Sequence, residues 1–252
     1  MSGVSVRVVQ LSDTHLSARE PVPSWWPTLR RWLAADPPDF VVHTGDLVLE
    51  DPDDEADRAA AHRLVAGLAD RVLVIPGNHD VGFFDEDALG PSRQAAFRET
   101  WGADTFVTDV GGWRFVGADS YRLGDADHDE WLAAVVHTAG PVAVFIHQPV
   151  GGDPADGWQM PAAAVAAFER AVAGADVRVV ASGHRHCAAV SERDGRRAVW
   201  CPSTRYVGDP AGAPAGAAAV DPQVGLVEHR FDPDGHHKSR VVRPWRDAPP
   251  TG

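Results

Sequence analysis

The residues able to do chemistry in this chain gather at a few short points. The stretch "VVASGHRHCAAV" (179–190) ends an apolar run at Gly183 and sets His184 and His186 on either side of Arg185. Comparable groups stand at Ser12-Asp13-Thr14-His15, at Gly45-Asp46, at Gly77-Asn78-His79-Asp80 and at His147. Carboxylate, imidazole and amide oxygen without thiolate suit Zn, Fe or Mn. Two imidazoles at i and i+2 in extended backbone point different ways. His184 and His186 can therefore serve two ions, which in binuclear sites lie about 3.5–4 Å apart. The two oxygens of Asp46 can bridge such a pair. Taken singly, each residue reads as a turn, cap or loop residue. Crowded together without partners they would be costly, and together they read as a metal site.

Parallel sheets bring such groups together, because ligand sites lie beyond the carboxyl ends of their strands. Apolar or β-branched runs at 4–11, 40–44, 71–76, 141–147 and 177–182 read as strands, and each ends at one of the polar groups. Between them 28–35, 54–68, 92–100, 127–138 and 161–174 read as helices. Asp127 is the expected cap of the fourth, with Glu130 three residues on. A hairpin is expected over 105–119, around Gly111-Gly112. Further strands are expected near 188–192, 197–201, 224–231 and 238–242. The Gly/Pro/Ala-rich stretch 206–222 reads as a loop within the domain. Alternating β and α elements predict an α/β fold with a parallel core. Residues 1–245 are expected to form one domain, and 246–252 a loose tail.

The 252 residues carry a formal net charge of -13, which argues against a basic nucleic-acid-binding face. A small phosphorylated substrate remains compatible, because bound cations invert the local field. No apolar run is long enough for a membrane span. The opening residues lack a secretory pattern, so a cytoplasmic setting is expected. Cys187 and Cys201 are the two cysteines. Both lie beside strand-like runs and read as reduced, inert thiols.

The ordered blocks "DTH", "GD", "GNHD", "H" and "GHRH", spread from Asp13 to His186, resemble the calcineurin-like metallophosphoesterase superfamily. The resemblance implies a four-layer α/β/β/α sandwich with two mixed β-sheets and a two-metal centre of Fe, Mn or Zn. It implies that Asp13, His15 and His186 hold one ion, that Asn78, His147 and His184 hold the other, and that Asp46 bridges. His79 is then a catalytic residue that either contacts the substrate or acts from behind the metal ligands, with Asp80 orienting its ring, and Asn78 also meets the substrate. Arg185 and Arg205 are candidates for phosphate contacts. Where the purple acid phosphatase branch has an iron-binding tyrosine, this chain has Leu49. The compact "DTHLS" opening is closer to the bacterial cyclic-nucleotide and glycerophosphodiester phosphodiesterases. The expected reaction is hydrolysis of a small phosphodiester, 3′,5′-cyclic nucleotides included, by a water activated between two metals. A phosphomonoesterase is the alternative of like chemistry, and a non-catalytic metal-binding scaffold the alternative of another class. The loops 16–27, 81–91, 148–160 and 203–219 surround the centre. Their aromatics Trp25, Trp26, Phe83, Phe84 and Trp158 are candidates for a wall against a base, or for a homodimer interface.

Overall fold

Alternation along the strands decides which layer each side chain enters. In the computed structural model, which describes residues 4–49, 51–84, 90–151, 158–209, 217 and 220–247, β1 (Val6–Leu11) is buried throughout. Its Val9 and Leu11 join the core beneath the helices, while Val6 and Val8 join the core between the sheets. β6 (Val142–Ile146) divides likewise: Val142, Val144 and Ile146 face helices, and Ala143 and Phe145 face the other sheet. A strand with two apolar faces is the mark of a sheet covered on both sides.

The first sheet runs β12 (His237–Val242), β11 (Leu226–Phe231), β1, β2 (Phe40–His43), β3 (Val72–Val74), with β1, β2 and β3 parallel. The second runs β10 (Val220–Asp221), β8 (Ala188–Arg193), β9 (Arg196–Trp200), β7 (Val177–Ser182), β6, β5 (Trp113–Ala118), β4 (Phe106–Val110). Its four central strands, β9, β7, β6 and β5, are parallel. Helices α1 (Trp26–Ala35), α2 (Glu55–Ala66) and α4 (Gly90–Trp101) pack on the first sheet through Leu29, Leu33, Ala61, Val65 and Phe97. Helices α5 (Ala126–Val136) and α6 (Ala162–Val172) pack on the second through Leu132, Val136, Ala164 and Phe168. The architecture is the α/β/β/α sandwich. Among the described residues no helix is long and apolar enough to cross a membrane.

The local signals hold in most places. Asp54 caps α2, accepting from the Ala56 and Asp57 amides. Gly111 and Gly112, both at positive φ, close the β4–β5 hairpin. Four expectations are corrected. α5 starts at Ala126 with Asp125 at the N-cap position, and Asp127 lies in its first turn, paired with Arg122. The stretch 206–222 contains β10, which pairs with β8. Pro244–Asp247 forms a helical turn that takes in the first two residues of the expected tail, with the Trp245 ring tilted 4.9 Å from Trp25; residues 248–252 lie outside the described residues. Trp26 is buried at the start of α1 and Trp25 packs beside it, so neither belongs to a substrate wall.

Candidate metal centre

The loops after β1, β2, β6 and β7 are laced together by their backbones. Asp13 and His15 donate to the carbonyls of Gly45 and Asp46, and Gly183 donates to the carbonyl of His147. The His184 amide donates to Asp13 Oδ2 at 3.0 Å. This lacing forces unusual backbone. Among the described residues six non-glycines have positive φ, and five of them are Asp13, His15, Asp46, His184 and His186. Such strain persists only where the surroundings over-determine it, and it concentrates at functional sites.

Two groups of ligand atoms result. Asp13, His15, Asp46 and His186 bring one atom each within 4.8 Å of one another, and so do Asp46, His147 and His184. Asp46 belongs to both. Asn78 joins the second group, its Oδ1 3.2 Å from His147 Nε2. His184 and His186 thus fall on opposite sides of the centre, and all seven expected ligands are gathered there.

The donor set fits metal ions. His147 Nε2 lies 3.2 Å from His184 Nδ1, 3.2 Å from Asn78 Oδ1 and 3.4 Å from Asp46 Oδ1. A single proton cannot serve three acceptors, whereas a cation among them can. Carbonyls behind the rings set the tautomers. His147 Nδ1 faces Thr44 O at 2.6 Å and His15 Nδ1 faces Leu49 O at 3.3 Å. Each Nδ1 therefore carries the proton and leaves Nε2 as a ligand. Burial alone would raise the Asp13 carboxyl, but His186, 3.1 Å away, holds it at about 2. Burial would depress His147, but Asp46 pushes it up to about 9. Burial takes His15 down to about 4 and His184 to about 3.

The other four expected residues are Asp80, His79, Arg205 and Arg185. Asp80 does not orient the His79 ring. Its carboxylate accepts from the Leu47, Val48 and Gly77 amides, clamping the Asp46 loop to the Asn78 turn. Among the described residues His79 Nδ1 has no hydrogen-bond partner. The His79 ring stands edge-on to His15 at 4.7 Å, and its amide donates to Asp46 Oδ1. Arg205 donates to the carbonyl of His15 at 2.6 Å and pairs with Glu20, bracing that loop from behind. Arg185 sets its guanidinium over the Trp200 ring, 6.0 Å from the centroid. The flanking cysteines are buried and free, with burial pushing Cys187 up to about 11 and Cys201 well above the usual range.

Residues absent from the sequence reading complete the surroundings. Both tyrosines of the chain are here. Tyr121 donates to Asn78 Oδ1 at 3.2 Å, and Tyr206 stacks on His186 and leans on His15. Tyr121 follows the end of β5, so the strand-end rule applied to that strand would have found it. His43 accepts from the Gly45 amide and meets Thr14 Oγ1 at 3.0 Å, neutral because burial takes it down to about 3.

Asp119, beside Tyr121, accepts from the Tyr121 amide and from Gln94. Burial pushes its carboxyl up to about 7. The folded chain keeps a proton there that the unfolded chain loses near pH 4. That stability is complete below about pH 4 and is lost as pH rises through about 7. The full loss is on the order of 4 kcal/mol. Asp119→Asn is expected to raise the melting temperature at pH 8 and to change it little at pH 4. Equal shifts at the two pH values would contradict the buried protonated carboxyl.

The calcineurin-like phosphoesterase model matches residues 6–188, most of the chain. The chain belongs to the calcineurin-like phosphoesterase family. Within this family it is 33% identical over 172 residues to the bovine (Bos taurus) serine/threonine-protein phosphatase CPPED1, a match covering 59% of this chain and 53% of that protein. The chain thus spans about half the length of that relative. Solved structures share the fold. Purple acid phosphatase PPD1 from yellow lupin (Lupinus luteus) aligns with TM-score 0.69 and 15% identity over 92% of this chain and 50% of that one. GAP50, described as the anchor in the inner membrane complex of Plasmodium, aligns with TM-score 0.68 and 13% identity over 95% and 85%. A dimetal phosphatase from Danio rerio aligns with TM-score 0.57 and 15% identity over 94% and 98%. Phosphatases and an anchor on one fold leave function to the site. For this member of the calcineurin-like phosphoesterases that site is the pair of ligand groups that share Asp46.

Proposed function

We propose that the chain hydrolyses a small phosphodiester at a centre of two metal ions, with 3′,5′-cyclic nucleotides among the candidate substrates. Asp13, His15 and His186 would hold one ion (Fe, Mn or Zn), Asn78, His147 and His184 the other, with Asp46 between them. Bound there, the pair supplies Lewis-acid charge and a water activated for in-line attack. The observation that carries the diester reading is the engagement of the nearby arginines, Arg205 with His15 and Glu20 and Arg185 with Trp200. A monoester dianion asks for a further cation, and a diester monoanion does not. His79 stands at the edge of the first ligand group, where its ring can meet negative charge on phosphate oxygens or protonate the leaving alkoxide. Exposed Trp158 tilts over His184 at 5.4 Å, and Tyr206 covers the other side. A pocket of about 470 Å³, lined by Phe83, Phe84 and Tyr121 with the ion-paired Arg98 and Arg122, lies beside Tyr121, whose hydroxyl donates to Asn78, and would accept the leaving group.

Phosphomonoester hydrolysis is the second reading, favoured by the serine/threonine phosphatase relative. Rates on bis(p-nitrophenyl) phosphate and p-nitrophenyl phosphate with added Mn²⁺ decide between them. Faster cleavage of the diester is expected. Much faster monoester cleavage would reverse the choice, and turnover of neither with metal bound would favour a scaffold. A panel with cAMP, cGMP and glycerophosphodiesters then narrows the substrate.

A further inference from the structure

Strand alternation is broken at two places beneath the metal centre. In β1 the inter-sheet face reads Val6, Val8 and then Gln10, and in β11 it reads Val227, His229, Phe231. Gln10 and His229 are wholly buried in a layer that is otherwise apolar. Polar groups in such a place destabilise unless bonded, and here the bonds run in one consistent direction. The carbonyl of Ser182 only accepts, so the amide group facing it at 3.2 Å is Gln10 Nε2–H. The same nitrogen donates to Thr44 Oγ1 at 3.0 Å, and that hydroxyl donates on to Leu11 O. Gln10 Oε1 therefore faces His229, accepting from Nε2–H at 3.0 Å. His229 Nδ1 is left as an acceptor and meets His237 Nε2 at 3.0 Å.

The positions of the two acceptors matter most. Ser182 ends β7 in the second sheet, two residues before His184. Thr44 follows β2 in the first sheet, two residues before Asp46, and its carbonyl takes the Nδ1–H of His147. One amide thus ties together two strand ends, one in each sheet, whose loops each supply ligand atoms to both groups of the centre. We propose that Gln10 is a positioning residue that holds the His184–His186 loop and the Asp46 loop at the separation a metal pair requires, with His229 fixing which way its amide faces. The proposal rests on the two-metal reading above.

The test is the double variant Gln10→Leu/His229→Leu, which removes both partners of the Gln10–His229 bond and releases only His237 Nε2, on the half-buried strand β12. The metal-free protein is melted, titrated with Mn²⁺, and examined loaded by electron paramagnetic resonance for the coupled signal of an ion pair. The expected result is a melting temperature near wild type, a second Mn²⁺ bound about tenfold more weakly, kcat about tenfold lower, and loss of the wild-type coupled signal. That size is usual for outer partners of metal ligands. A residue that only packs would move the melting temperature and leave the coupling and second-ion affinity unchanged, and that result would overturn the proposal. His229→Phe, which frees the amide to turn while keeping Gln10, is the second variant. An unchanged coupled signal there overturns the proposal as well, even if the double variant does not fold. A wild-type chain taking up no second Mn²⁺ would overturn the two-metal reading, and the brace with it.

Discussion

Asp46→Asn is expected to lower kcat by about a thousandfold while the chain stays folded. Asp46 is the one residue common to both ligand groups. Its Oδ1 lies 3.4 Å from His147 Nε2, and its Oδ2 lies 3.9 Å from His15 Nε2. Asparagine keeps an oxygen for the bond from the His79 amide. It replaces the other oxygen with an NH₂ group that has no lone pair to offer a metal, and it removes the buried negative charge that would lie between the two ions. The loss is set at the upper end of what one charge-stabilising group contributes to a rate. Metal analysis should fall from about two ions per chain toward one, the stoichiometry of a binuclear site losing its bridge. Circular dichroism should report a native fold. A rate near wild type at saturating Mn²⁺, or two ions retained, would remove Asp46 from the bridging position.

Most of the centre was legible in the sequence because strand-end chemistry is local. Each of Asp13, Asp46, Asn78, His147 and His184 stands within a few residues of an apolar run, and the parallel order of those runs brings their ends together. What escaped was long-range or hidden by its neighbours. Arg205 is a free-looking cation in a Gly/Pro-rich region, and only the fold puts it against His15, 190 residues away. Asp80 follows His79 directly, which invites a pairing. The turn of α3 (Asn78–Val81) instead sends its carboxylate back to the Leu47 and Gly77 amides. Gln10 lies in "VSVRVVQL", where one polar residue in an apolar strand reads as noise until its three partners are known. The positive-φ backbone at five ligands has no sequence signal of its own, since none of the five is glycine.

Gly183→Ala is expected to cost at least about a hundredfold in kcat/KM and to weaken metal binding. Its φ is ordinary, so the argument is one of space. A Cβ at this position overlaps Ser12 Oγ and comes within 2.7 Å of Asp13 Oδ2 and 2.8 Å of Ser12 Cβ. None of these neighbours is free to yield. Ser12 is wholly buried, Asp13 Oδ2 accepts the His184 amide, and the Gly183 amide is bound to the carbonyl of His147. The loop carrying His184 and His186 must therefore move away from the loop carrying Asp13 and His15. Shifts near 1 Å at a reacting centre cost about a hundredfold. The companion double variant Ser12→Gly/Gly183→Ala removes two of the three contacts and leaves Asp13 in place. Contacting residues are coupled, so this pair should recover part of both the metal affinity and the rate. Wild-type metal content and turnover in Gly183→Ala alone would mean that the loop absorbs a methyl group without moving its histidines. Failure of the double variant to recover anything would place the cost in the backbone of the β7 turn and not in its approach to Ser12.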